Sequence, residues 1–417
     1  NELCLGTDGK GTKIFNIPKQ LITDYPFDNN YLDSGTSKVH SVLKDNAGNL
    51  WIAIYQKGVM MIPAQPNSFK YIGYKSINKN IIGSNCITSL CRDHEGILWI
   101  GTDNDGIYGI TTELKQKVHY APHDSPSSVP STVFGLYEDS EHNLWFGSYT
   151  NGLGRLDKKT GQCSYLQNLT DKNGNRIQRV YDLVEDQDKR LWIATMGAGL
   201  FYYDLKTGQS VYDPKFNAAT KKYKWISCLL YAGDNHLYVG TYDGIRCIDL
   251  STDDFKTEEI LSRHIIHSLY EDPQGNIWIG NSEGLAEWNP QTQQLKTYTT
   301  AHGLSSNAVY AIKGDGQDNL WISTNAGMSR FNLNTHTFSN FYADDGLQGN
   351  EFSKNASFAD HNGILWFGGT NGITYFNPQE ITNPAKKWNV RIIDFYLHDQ
   401  PIRKGMLSGG KEMINTS

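Results

Sequence analysis

The chain has 417 residues, 38% of them hydrophobic and 12% aromatic, with 24 Tyr, 10 Trp, 40 Gly and a net charge of −6. That balance supplies no basic field for nucleic acid, and no run approaches the roughly 18 apolar residues of a membrane span. Abundant glycine with abundant aromatic residues suits short strands joined by tight turns, with rings filling the space between sheets. The six cysteines (Cys4, Cys86, Cys91, Cys163, Cys228 and Cys247) form no CxxC pair and are too sparse for a disulfide scaffold. They read as small buried hydrophobes.

The first residues, Asn1 to Cys4, already look like a strand, with no initiator Met and no leader ahead of them. The expectation is a piece of a longer protein. From there one module recurs: a strand core of the form (L/I)(W/Y)(I/F/V)(G/A/S). Its centres are Cys4, Trp51, Trp99, Trp145, Trp192, Tyr238, Trp278, Trp321 and Trp366, at steps of 47, 48, 46, 47, 46, 40, 43 and 45 residues. Periods of about 40–50 residues are those of four-stranded propeller blades.

Flanking positions keep register. An Asp stands six residues before the aromatic at Asp45, Asp93, Asp139, Asp186, Asp272, Asp315 and Asp360, with Ala232 the exception. A Gly follows the centre by seven residues in the first five modules and by six in the last four. The module at Ser131 reads as strand a (132–138), an Asp139–Asn143 turn, strand b (144–148), a hairpin at Tyr149–Gly152, strand c (153–157), a Gly-containing turn and strand d (162–166). Aspartates repeated in every module are turn formers; a catalytic group is needed once. The mid-strand Trp is expected to fill the gap between neighbouring blades.

The last module carries strands a, b and c, but Asn377-Pro378 opens no strand d. A propeller closes by borrowing that strand. If residues 68–74 supply it, the modules from Trp99 to Trp366 make a seven-bladed ring. If residues 20–25 do, the ring has eight blades. The favoured reading is all-β: residues 1–66 as the last blades of a preceding propeller, 67–384 as a seven-bladed β-propeller of four-stranded blades, and 385–417 as the start of a truncated immunoglobulin-like β-sandwich. The strand opening that last part is Trp388 to Leu397.

Stretches such as "DNAGNLWIAIYQKGV", "DHEGILWIGTDNDGIYGI", "DQDKRLWIATMGAGLFYYDLKTGQ" and "GLSSNAVYAIKGDGQDNLWISTNAGMSRFN" resemble the two-component-regulator propeller repeat. "ILWFGGTNGITYFNP" followed by "VRIIDFYLHDQPI" is similar to that family's last blade entering its Tyr-rich immunoglobulin-like domain. The resemblance covers about 390 of the 417 residues. It implies the periplasmic sensor region of a Bacteroidetes hybrid two-component regulator, built from two seven-bladed propellers and an immunoglobulin-like domain. It also implies an oligosaccharide ligand, control of polysaccharide-utilisation genes, a homodimer, and a downstream membrane helix and kinase. Here most of the first propeller and part of the last domain have no counterpart, so the expectation is that a ligand site between propellers is half present.

Strand order places b–c hairpins and d–a loops on one face. These segments vary while the a–b turns are uniform, and variation over a fixed scaffold is where binding residues sit. The candidates are Tyr149, Asn151, Arg176, Arg179, Lys224, Trp225, Tyr242, Asp243, Arg263, His264, Glu283 and Asn307. Rings that stack on sugar faces, with amides, carboxylates and guanidinium groups for hydroxyls, suit a glycan. The four cations Arg176, Arg179, Lys224 and Arg263 suit a sulfate or uronate. No HExxH, nucleophile elbow, Walker loop or dinucleotide fingerprint is present, so neither a catalytic role nor a cofactor or metal is expected. Two alternatives stand beside the sensor: a lyase similar to the streptogramin lyases, for which His264 and Glu283 are the nearest pair, and a propeller scaffold without a small ligand.

Overall fold

The structure is a computed structural model. It describes residues 2–25, 36–62, 64, 68–74, 76, 80–83, 86–171, 173–212, 224–252 and 255–381, and beyond them the backbone of four short strands. Two compact units result, Asn1–Ile381 and Thr382–Ser417.

Alternating apolar residues in each module make strands, and the turns between them set antiparallel order. In the first unit seven four-stranded sheets follow one another. Blade 1 consists of Ile87–Arg92, Leu98–Thr102, Ile107–Ile110 and Gln116–Tyr120; blade 2 of Val133–Glu138, Leu144–Ser148, Leu153–Leu156 and Cys163–Tyr165. Blades 3 to 6 begin with Val180–Glu185, Ile226–Ala232, Ile266–Glu271 and Val309–Gly314. Blade 7 has Phe352–Ala359, Leu365–Gly369 and Gly372–Phe376, and its fourth strand is Lys70–Ile72 from the other end of the chain. Ile373 pairs with Ile72 and Tyr375 with Lys70. After Phe376 the chain turns into a short 3-10 helix, Pro378–Glu380, capped by the Asn377 side chain.

Successive a strands pack side by side around the ring, and those of blades 7 and 1 complete the circle. Each mid-strand aromatic reaches the next blade. Trp99 clusters with Val133, Leu136 and Phe146, Trp145 with Val180 and Leu183, Trp192 with Ile226 and Val239. Trp366 clusters with Ile87, Leu90 and Ile100, which joins the last blade to the first. The small residue ending each strand-b core is there because the next blade's strand a comes so close: a Cβ on Gly147 would lie 2.5 Å from the Val180 carbonyl oxygen.

The aspartates do more than form turns. Asp93 accepts from Ile97 N at 2.9 Å and, with its other oxygen, from Trp99 Nε1 at 2.8 Å. The same indole-to-carboxylate bond joins Trp145 to Asp139 at 2.6 Å, Trp192 to Asp186 at 2.7 Å and Trp278 to Asp272 at 2.8 Å. Each ties a turn to the ring that fills the blade interface. In blade 6 Asp315 still holds its turn, but Trp321 Nε1 is buried with no hydrogen-bond partner among the described residues.

Ahead of the ring, Glu2–Gly6, Thr12–Asn16 and Leu21–Asp24 form one three-stranded sheet, and Val39–Lys44, Leu50–Ile54 and Gly58–Ile62 another. Leu21–Asp24 pairs with Thr12–Asn16 in this first sheet, not with blade 7. Trp51 keeps the bond to Asp45, at 2.8 Å, yet is 40% exposed. In the second unit Phe395–Leu397 pairs with Gln400–Ile402, and Leu407–Ser408 with Lys411–Glu412. Residues 388–394 of the expected strand lie outside the described residues.

Candidate functional site

Every a strand carries a bulge near its start. In blade 3 Val180 pairs with Thr195 and Asp182 with Ala194, so Tyr181 is an extra residue. Thr88, Ser227, His267 and Tyr310 are extra in the same way. A bulge re-aims a side chain, and these residues line the central cavity of the ring, about 610 Å³ in volume. Phe134, Tyr242, Glu351, Lys354 and Asn355 line it too, with Asp182 and Lys313.

Blade 7 departs from the pattern. Phe352 pairs with Gly369 and Ser357 with Phe367, so three residues bulge where the other blades have one. The insertion carries Lys354 and Asn355, the latter in the left-handed region at φ 55°. Asn355 Nδ2 spans the cavity to Asp182 of blade 3, at 3.0 Å. Asp182 also accepts from Leu229 N and Leu183 N, both at 2.9 Å.

Enclosure dominates the electrostatics. Desolvation pushes the Asp182 carboxyl up to about 6, against the hydrogen bonds that favour its anion and the Lys313 ammonium. Lys313 is lowered by burial, and Asp182 opposes that shift. Burial, with Lys354 nearby, brings His267 down to about 3, so its imidazole is neutral at physiological pH. Lys354 is itself lowered by burial, and its Nζ lies 5.7 Å over the Tyr310 ring.

Aromatic residues gather around the cavity. Phe134 stacks on Tyr181 at 4.2 Å between centroids and meets Tyr149 edge-on at 6.2 Å. Arg179 sits 4.9 Å over Tyr149, and Trp225 meets Tyr242 edge-on at 5.8 Å. Tyr149 is 43% exposed, Trp225 44% and Tyr242 36%. The result is an exposed aromatic edge beside a cavity whose lining mixes leucines with polar and charged side chains.

Of the residues singled out from sequence, Tyr242 lines the cavity, Tyr149 and Trp225 touch the lining rings of Phe134 and Tyr242, and Arg179 lies over Tyr149. His264 and Glu283 also meet, Nε2 to Oε2 at 3.3 Å, while His264 Nδ1 is 2.7 Å from the Ser262 carbonyl oxygen. The other six hold loops. Arg176 donates to the Asn151 carbonyl at 3.1 Å and lies over Tyr165. The Lys224 carbonyl accepts from Gly197 N at 2.7 Å. The Asp243 main-chain carbonyl accepts from Arg263 N at 2.9 Å, with Arg263 at φ 63°. Asn307 Oδ1 accepts Thr300 N at 2.8 Å.

The other lining residues escaped the sequence reading, which looked at loops and treated strands as scaffold. Two signals were present. The second residue of strand a varies from module to module (Thr88, Phe134, Tyr181, Ser227, His267, Tyr310), as a binding position does and a packing position does not. And 14 residues separate Phe352 from Trp366, where 12 separate Val133 from Trp145 and the matching pairs of the other blades.

Five segments of the chain, 81–104, 127–150, 171–197, 260–283 and 303–326, match the two-component regulator propeller family. The chain carries two-component regulator propeller repeats. The matched segments open blades 1, 2, 3, 5 and 6. Over 412 residues the chain is 24% identical to histidine kinase P4 of Formosa agariphila, covering 96% of this chain and 23% of that protein. In structure it is similar to the extracellular domain of the two-component system BT3049 from B. thetaiotaomicron, with a TM-score of 0.76 and 22% identity over 97% of this chain and 55% of that one. The β-propeller domain of Cps50 (Swd1) from Myceliophthora thermophila shares the fold at a TM-score of 0.53 and 15% identity, over 71% of this chain and 98% of that one. The chain thus spans about a quarter of the length of the kinase and about half of the extracellular domain it matches. No helix among the described residues is long and apolar enough to cross a membrane.

Proposed function

We propose that this chain is part of the extracytoplasmic, periplasmic sensor of a hybrid two-component regulator, and that its ring binds an oligosaccharide released in glycan breakdown to control polysaccharide-utilisation genes. One observation carries the reading: a central cavity with exposed aromatic rings at its edge and polar and charged groups set among apolar ones in its lining. Sugar rings offer apolar faces to Tyr149, Trp225 and Tyr242. Their hydroxyls offer partners to the Asp182–Asn355 pair and to the neutral imidazole of His267. The relatives named above are a histidine kinase and the extracellular domain of a two-component system, which supports a signalling role.

The site binds without turnover. Of the two carboxylates that line it, Asp182 is occupied by two backbone amides and an amide side chain, and the His267 imidazole is too weak a base to take a proton at neutral pH. Signalling then requires the ligand to favour one arrangement of the sensor, in a homodimer coupled through further segments to a membrane helix and kinase. Calorimetry with a panel of purified oligosaccharides tests the reading. Saturable binding of one glycan, with no new reducing ends or unsaturated products by chromatography, is the expected result. Product formation that stops with a chelator would favour a lyase centred on His264 and Glu283. No binding across the panel would favour a scaffold.

A further inference from the structure

A second cluster lies at the a–b turns, where blades 1 and 2 meet. His94 is the second residue of the blade 1 turn, Glu138 ends strand a of blade 2, and His142 is the fourth residue of the blade 2 turn. One ligand atom from each lies within 4.8 Å of the others. The imidazoles stack at 3.7 Å between centroids, and His94 Nδ1 is 2.7 Å from Glu138 Oε1.

Part of this is ordinary inter-blade linkage. Glu138 Oε2 accepts His94 N at 2.6 Å, as Glu185 accepts Ser140 N one blade further on, at 2.7 Å. That role explains Glu138 but neither imidazole. His142 is the odder residue. It stands at φ 67°, a position that four other turns fill with glycine (Gly48 at 88°, Gly96 at 83°, Gly275 at 80° and Gly363 at 77°) and two more with Lys189 at 69° and Asn235 at 65°. A side chain there costs about 1 kcal/mol that glycine avoids, and this one places its ring on His94.

Two imidazole nitrogens and a carboxylate oxygen, two of the residues exposed, are the donor set of zinc and its neighbours. Calcium and magnesium take oxygen only. We propose that His94, Glu138 and His142 form a binding site for a divalent transition-metal ion of the Zn2+ class, with water at the open position, that clasps blade 1 to blade 2. Metal–nitrogen bonds of about 2.0–2.1 Å require the two rings to turn out of their stack, so that a nitrogen lone pair of each points at the ion; both side chains are exposed enough to do so. The ion takes the place of the His94 Nδ1 contact to Glu138. Lys158, whose Nζ lies 2.8 Å from Glu138 Oε1 and 3.2 Å from Asp93 Oδ2, keeps Asp93 as its partner. The ammonium charge so close by makes the ion's hold weaker than that of a closed structural zinc site.

The experiment uses the untagged chain, stripped with a chelator and dialysed. Zn2+ is titrated calorimetrically, and Co2+ is followed by its visible d–d absorption. The expected result is one equivalent of Zn2+ bound, a Co2+ spectrum of low coordination number, and a higher melting temperature with Zn2+ but not with Mg2+. His94→Ala and His142→Gly each weaken binding at least tenfold. His142→Gly also guards against misfolding, because it installs the residue that four of the other turns carry at this left-handed position, and it should melt no lower than the parent without metal. His236→Ala, in another blade, leaves binding unchanged. The proposal is overturned by wild-type protein that binds no Zn2+ at 100 µM, or by stoichiometry and affinity that survive both His94→Ala and His142→Gly.

Discussion

Removing the aspartate of an indole clasp should cost more than removing the same aspartate where the clasp is open. Blades 5 and 6 provide the comparison. Asp272 accepts from Gln274 N at 3.0 Å, Asn276 N at 2.9 Å, Asn276 Nδ2 at 3.0 Å and Trp278 Nε1 at 2.8 Å. Asp315 makes the same three turn bonds, to Gln317 N at 2.9 Å, Asn319 N at 3.1 Å and Asn319 Nδ2 at 2.7 Å, but none to Trp321. Both indoles are buried. Asp272→Ala therefore breaks the turn and strands a buried N–H, an added cost of about 1–3 kcal/mol; Asp315→Ala breaks only the turn. Asp272 is the more buried carboxylate, so single mutants mix two effects. Double-mutant cycles with Trp278→Phe and Trp321→Phe separate them. The coupling read from urea unfolding, followed by circular dichroism, should be about 2 kcal/mol for Asp272–Trp278 and near zero for Asp315–Trp321. Equal couplings in the two blades would refute the view that the bond, rather than the turn, ties each aspartate to its blade interface.

Trp192 is fully buried against blade 4, so Trp192→Ala should lower stability by about 3–5 kcal/mol; an unchanged unfolding midpoint would contradict the packing of each Trp on the following blade. Trp225→Ala and Arg179→Ala alter exposed residues at the cavity edge and should weaken oligosaccharide binding with no loss in melting temperature, whereas the same change at Arg176, which holds a loop, should leave affinity alone; calorimetry decides. Asp182 has a raised carboxyl, to about 6, so the folded state holds its proton more tightly than the unfolded chain does. Stability from this group is present below pH ~4 and lost as pH rises to ~6, by at most about 3 kcal/mol. Asp182→Asn should remove that slope, and a wild-type minus variant difference that stays flat from pH 4 to 7 would exclude the shift. His267, lowered to about 3, should show a neutral imidazole by NMR at pH 5; a midpoint near 6.5 would show that the cavity does not exclude water from it.

Repetition made much of the fold legible. An Asp, a Trp six residues on and a Gly beyond it, recurring at a near-constant step, specify turn, interface and hairpin without long-range information. The strands expected around Trp145 fall within about a residue of Val133–Glu138, Leu144–Ser148, Leu153–Leu156 and Cys163–Tyr165. The candidate site was legible only at its edge. Tyr149, Arg179, Trp225 and Tyr242 stand in variable loops, which sequence marks as available for binding. Tyr181, His267, Lys313 and Asn355 stand in strands, and a strand's period of two does not reveal a bulge that turns one residue into the cavity.

By itself, then, the sequence determined the module: its four strands, its turn aspartates and the aromatic residue that each blade lends to the next. Those are local choices, set by spacing and by the chemistry of single residues. Closure and the cavity were decided only in three dimensions. Residues 68–74 were the favoured candidate to complete the last blade and 20–25 the alternative until Ile72 paired with Ile373 and Leu21–Asp24 with its own sheet. The bonds from Asp182 to Asn355, and from Glu138 to His94, join residues 173 and 44 positions apart. Such contacts exist because a closed ring brings every first strand to one axis and every turn beside its neighbour, and no local pattern encodes that.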